Sequence, residues 1–238
     1  MKLTVLGMNG PFPAANGATS GYLLEHDGHR IALDMGCGTL ARLTALCAPE
    51  TLDAIAFSHW HFDHCSDVLP LLYLLNKRDT PLPVYGPADE NSPVRKILSA
   101  DPWVCLHTIQ MGDSLAIGSM TLSVGPARHP VPAVSLRWSD GVHSLVYTGD
   151  TNTVEGLDTF AQHADLLLAD GLFPEERWNE KLPHLSGALC ADLANKAQVK
   201  ELIITHLNPD LDAALLLTQA QRIRPDARLA YPGLVWEV

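Results

Sequence analysis

A chain of 238 residues, 47% hydrophobic and 18% charged, is long enough to bury a substantial core and too apolar to be disordered. Its formal charge of −11, from 27 acidic against 16 basic residues, argues against a grip on long nucleic acid, whose phosphates call for a cationic stripe.

In chain order, KLTVLG, SGYLLEHD and HRIALDMG read as strands, with HDGH as the hairpin turn between the last two. The opening MKLTVLGMNG lacks the apolar core of a secretory signal, so a cytoplasmic setting is expected. TLARLTALC (39–47) suits a short helix, and LDAIAFSH (52–59) an apolar strand. DVLPLLYLLN suits a helix with Asp67 as its N-cap, and is far short of the roughly 20 residues that span a bilayer, so no membrane partner is expected. The middle alternates short strands with turns in PVYGP, SLAIGSMTLSVG and AVSLRWSDGVHSLVYTGD, where SDG marks a hairpin. In the last third, GLDTFAQHA precedes the strand DLLLAD, SGALCADLANKAQV precedes ELIITH, and DAALLLTQAQRI follows it. No linker, charge block or repeat divides the chain, so one domain over 1–238 is expected, an α/β protein with helices covering its sheets. The five cysteines are scattered, with no CxxC, and read mostly as buried thiols.

The segment SHWHFDHC places His59, His61, Asp63 and His64 within six residues. Further candidates stand just past apolar strands, where loops on a rigid scaffold carry chemistry: Asp150 after SLVYTG, Asp170 after LLLA and His206 after LIIT. His129 in GPARHPVPAVS and His184 in LPHLSG complete the set. In a tight turn, His59 and His61 can face one metal while Asp63 and His64 face a neighbour about 3.5–4 Å away. His129 and His206 can then supply the third ligands and Asp150 can bridge. Such donors suit zinc, and also manganese or iron. His26, His29, His107, His143 and His163 are read as surface or hydrogen-bonded residues, and Trp60 and Phe62 as packing under the metal loop.

The HxHxDH spacing, the later lone histidine, the TGDT aspartate and the THLNP histidine together resemble the metallo-β-lactamase superfamily, over residues 3 to 236. That resemblance implies an αββα sandwich with two Zn2+, one held by His59, His61 and His129, the other by Asp63, His64 and His206, with Asp150 between them. Asp34 in LDMG looks like the family's structural aspartate. Asp150 stands where the main clinical zinc β-lactamases, which are exported, place cysteine. HLSGALCADLANKAQVKELIITHLNP is instead similar to the phosphodiesterase branch that includes ribonuclease Z. There a histidine opens the helix ahead of the last ligand; His184 occupies that place, and Asp170 corresponds to a glutamate, with a shorter reach.

The implied activity is cleavage of a small cyclic or short phosphodiester by a hydroxide held between the metals. In that reading Asp63 orients the nucleophile, His184 protonates the leaving alkoxide, and Asp170 holds the His184 ring. Ribonuclease Z carries a long basic arm, whereas only twenty residues separate His129 from Asp150 here, already used by two strands and a turn. A small bacterial member without a tRNA-binding arm is the expectation. The same site could hydrolyse a thioester or lactone; a non-catalytic metal-binding scaffold has no need of so complete a ligand set. A homodimer stays open. The Gly-rich loop at 7–18 is expected to border the pocket, and Phe12, Phe173 and Trp178 lie in loops where they could flank a base or sugar, pack in the core or stand exposed on the surface.

Overall fold

The computed structural model describes residues 1–238. Strands β1 (Lys2–Gly7), β2 (Gly21–His26) and β3 (His29–Met35) form an antiparallel meander, and β4 (Ala54–Ala56), β5 (Leu82–Pro87) and β6 (Val104–Ile109) extend it in parallel. The second sheet begins with the antiparallel run β7 (Ser114–Ile117), β8 (Met120–Gly125), β9 (Ser135–Ser139) and β10 (Ser144–Tyr147). It continues in parallel through β11 (Leu166–Asp170), β12 (Glu201–Thr205) and β13 (Arg228–Leu229), while β14 (Val235–Glu237) returns to pair with β1. Each sheet has seven strands, in the orders β14-β1-β2-β3-β4-β5-β6 and β13-β12-β11-β10-β9-β8-β7.

The side-chain period of two decides the layers. Along β11, Leu166 and Leu168 enter the core between the sheets with Leu3, Leu33 and Trp138, while Leu167 and Ala169 face the outer layer. A strand covered on both faces reads as a continuous apolar run, as LLLA does. Helices α1 (Thr39–Leu43), α2 (Phe62–Cys65), α3 (Val68–Leu75) and α4 (Pro93–Ala100) cover the first sheet through Leu43, Cys65, Leu71 and Leu98. Helices α5 (Leu157–Ala161), α6 (Gly187–Lys196) and α7 (Ala213–Ile223) cover the second through Ala161, Ala191 and Leu216. The fold is therefore the expected αββα sandwich.

Four readings need correction. Residues 93–100, taken within a region of short strands and turns, form α4: Ser92 caps it, Oγ accepting the Arg95 N–H at 3.1 Å, and Pro93 opens it. Val94 and Leu98 are its buried, four-apart stripe. The helix predicted over 39–47 is regular only to Leu43 and finishes in turns. Asp67 occupies the N-cap position of α3, but its carboxylate turns to α1 and accepts the Leu40 N–H at 2.8 Å. Only Cys65 and Cys190 are buried; Cys37 and Cys105 are exposed.

Because β3 to β6 run parallel, and β10 to β12 likewise, their carboxyl ends lie along one edge of each sheet. Asp170 is paired in register with Thr205, so the segments leaving β11 and β12 start side by side.

Candidate metal centre

The short β4 delivers Ser58 and His59, buried, to the carboxyl edge, and α2 turns Asp63 and His64 toward it. The β8–β9 connection carries His129, the ends of β10 and β12 carry Asp150 and His206, and the approach to α6 carries His184. Donor atoms of His59, His61, His129 and Asp150 lie within 4.8 Å of one another, as do those of Asp63, His64, Asp150 and His206. A third group, Asp150, Asp170, His184 and His206, meets the same limit. Asp150 belongs to all three.

His61 Nδ1 lies 3.1 Å from both His59 Nε2 and His129 Nε2. Asp150 reaches His64 Nε2 at 3.1 Å through Oδ1 and His206 Nε2 at 3.3 Å through Oδ2. Asp63 Oδ2 is 3.6 Å from His64 Nε2 and 3.9 Å from His206 Nε2.

The far sides of four of the five rings are held. Ser58 Oγ lies 3.1 Å from His59 Nδ1, and Ser20 Oγ lies 3.1 Å from His206 Nδ1. Asp34 Oδ2 is 2.7 Å from His64 Nδ1, and the Pro183 carbonyl is 3.4 Å from His129 Nδ1. Partners of this kind fix ring orientation and tautomer, as they do around metal-ligating histidines. Asp34 is the hub. Fully buried with φ 53, it accepts Ser58 N–H at Oδ1 and the Ser58 and Tyr147 hydroxyls at Oδ2, each within 2.8 Å. Ser20, Ser58 and Tyr147 are the residues that sequence reasoning missed; isolated hydroxyls carry no spacing signal. The Gly-rich loop does border the centre, since a Cβ on Gly10 would fall 2.0 Å from the His206 ring.

Burial holds His59 and His206 well below the usual histidine range and His129 at about 4, so all three keep a lone pair. His64 is different: burial alone would lower it, but Asp150, Asp34 and Asp63 outweigh that and raise it. Asp150, which burial would raise, is held low by His206, His64 and His59. Burial pushes Asp63 up. Asp170 is pushed up to about 6 by burial, and His184, which burial would lower, is raised to about 9 chiefly by Asp170, 2.8 Å away.

The donor set fits a cation. Asp63 Oδ2 and His206 Nε2 are buried and lack any hydrogen-bond partner in the protein, and His64 Nε2 and Asp150 Oδ1, 3.1 Å apart, are buried with no partner besides each other. Groups of this kind are costly to bury without a partner. With Nδ1 of His59 and His129 engaged on the far side, two Nε2 lone pairs converge near His61 Nδ1, which can donate to only one of them.

Two sheets back to back, with histidines and aspartates gathered at their carboxyl edges, define an αββα sandwich with a candidate metal centre. Residues 29–207 match the model of the beta-lactamase superfamily domain, and the chain belongs to that superfamily. A probable metallo-hydrolase of Bacillus subtilis, YhfI, is 32% identical over the whole of both chains. The crystal structure of that metallo-β-lactamase fold protein superposes with a TM-score of 0.93, covering 100% of this chain and 99% of that one. A ribonuclease Z of Mycobacterium sp. strain KMS is 28% identical over 89% of this chain and 85% of its own. The short form of human tRNase Z shares the fold, with a TM-score of 0.83 at 18% identity over 100% and 99% of the two chains.

Proposed function

We propose that this protein is a dinuclear zinc phosphodiesterase acting on a small cyclic or short diester, with residues 1–238 as its single domain. Two triads of donors share the Asp150 carboxylate, and the His184–Asp170 pair adjoins them; that juxtaposition carries the reading. In it, His59, His61 and His129 hold one ion and Asp63, His64 and His206 the other. Zinc suits this mixture of imidazole and carboxylate, and manganese or iron would be accepted by the same donors. When bound, a pair of such ions supplies Lewis acidity toward a phosphoryl oxygen and acidifies the attacking water.

The chain's own residues do the rest. Asp63 orients the attacking water. Asp170 Oδ2 accepts the Nδ1–H of His184 at 2.8 Å, which fixes the tautomer and favours the protonated ring. Nε2 of His184 is then free to give a proton to the departing alkoxide. The aspartate reaches the ring in spite of its short side chain because β11 ends with residue 170 next to the centre. Against a tRNA substrate stand the β9–β10 hairpin, which occupies the span from His129 to Asp150, and the charge of −11.

Metal analysis of the zinc-loaded protein, with turnover of bis(4-nitrophenyl) phosphate compared with that of a thioester, tests the reading. About two ions per chain and diester cleavage are expected. Thioester cleavage without any diester cleavage would transfer the site to acyl substrates.

A further inference from the structure

Phe62 stands between His61 and Asp63, and 62% of it is exposed, where the sequence led to the expectation that it packs under the metal loop. Trp60 does pack there: it is buried, its ring centroid lies 4.8 Å from that of Phe57, and Nε1 donates to the Pro87 carbonyl at 2.7 Å. Gly86 permits this approach, since a Cβ there would fall 2.4 Å from the Trp60 ring. Phe62 cannot follow. It opens α2, and a helical turn that aims residues 63 and 64 at the centre leaves residue 62 on its outer side.

A cavity of about 190 Å³ opens beside it, bordered by Trp60, His61, Phe62, Asp89, Asn91 and Val131. His61 belongs to both the cavity and the candidate centre, so an occupant of one lies next to an occupant of the other. The volume is below the roughly 300–1,000 Å³ of pockets that enclose a whole drug-sized ligand, and suits one ring system. Asp89 Oδ1 accepts the Asn91 N–H at 2.9 Å, which sets the loop and leaves the Asn91 side-chain amide without a protein partner. No lysine or arginine borders the cavity. Pro93 has no N–H, and the Arg95 N–H is already taken by Ser92, so the start of α4 offers little to an anion. A second phosphate finds no counter-charge there. A flat, uncharged ring finds an aromatic face and a free amide.

We propose that this cavity is a substrate subsite for a flat heteroaromatic group, stacked on Phe62 and met at its edge by Asn91. The subsite deepens, and rests on, the phosphodiester reading of the adjacent centre. It makes Phe62 and Asn91 determinants of specificity and not of the chemical step.

Calorimetric titration of the zinc-loaded protein with adenosine 5′-monophosphate and with 1-O-methyl ribofuranoside 5-phosphate tests it, because the second keeps the closed sugar and the phosphate and lacks the base. Base–aromatic stacking predicts that the nucleotide binds about 5- to 150-fold more tightly. Phe62→Ala should bring the ratio of the two affinities close to one, Phe62→Trp should keep it, and Asn91→Ala should lower it severalfold. Equal affinities in the wild type, a ratio unchanged in Phe62→Ala, or failure of both probes to bind would each overturn the subsite. If the two affinities are equal while diesters turn over, the subsite alone falls. If the nucleotide binds with the Phe62 dependence while no diester turns over, the subsite stands and the diesterase reading falls.

Discussion

Gly10 has no local role that its neighbours in sequence explain, yet it touches the candidate centre. A side chain there would meet the His206 ring at 2.0 Å, so Gly10→Ala must turn that ring from its place beside Asp63 and Asp150. The purified variant is expected to carry about one ion fewer than the wild type by elemental analysis, with unchanged circular dichroism. Full retention would count against His206 as a ligand. His184 makes a different prediction. Removing a general acid costs most where the leaving group is a poor one, so His184→Ala should slow alkyl diesters by about 10²–10⁴-fold and 4-nitrophenyl diesters much less. Equal losses on both would assign the ring to binding. That these histidines and aspartates would gather at one place was legible because their types and spacing are rare. Ser20, Ser58 and Tyr147 were not, because a hydroxyl acquires its role only from what the fold brings to it.

At the scale of elements, the β9–β10 hairpin illustrates a turn that chemistry specifies. Asp140 Oδ1 accepts the N–H groups of Val142 and His143 at 2.9 and 2.7 Å. Burial would raise this carboxyl, but those two amides, with His143 and His26 nearby, outweigh it and hold it at about 2. A folded-state value below the unfolded value of about 3.9 means stability that is fully present above pH 4 and lost as pH falls through 2. Asp140→Ala is expected to cost about 1–2 kcal/mol at neutral pH, and its urea midpoint should converge on that of the wild type on acidification below pH 4. A gap that is constant with pH would remove the charge from the explanation. The same hairpin was readable from SDG alone, whereas α4 was not. Its apolar stripe is only Val94 and Leu98, too brief for periodicity to stand out, and the helix forms because Ser92 caps it and the first sheet buries that stripe.

For the whole molecule, the candidate centre joins segments from residue 59 to residue 206 across both sheets, so a bound ion ties the two halves of the sandwich together. An ion that binds only the folded chain stabilises it by about 2.7 kcal/mol at a hundredfold excess over Kd. Zinc is therefore expected to raise the Tm of chelator-treated protein by about 5–10 °C, and no shift would mean that these donors hold no ion in the folded state. The order of apolar strands and helices, the placement of ligand-type residues after strand ends, and the local HxHxDH turn were determined by the sequence alone, since each is a pattern within a few neighbouring residues. Which nitrogen of each ring faces inward, the hub at Asp34, the reach of Asp170 to His184 and the outward turn of Phe62 were decided only by the tertiary structure. Each depends on atoms that are far apart along the chain and meet only when the two sheets pack.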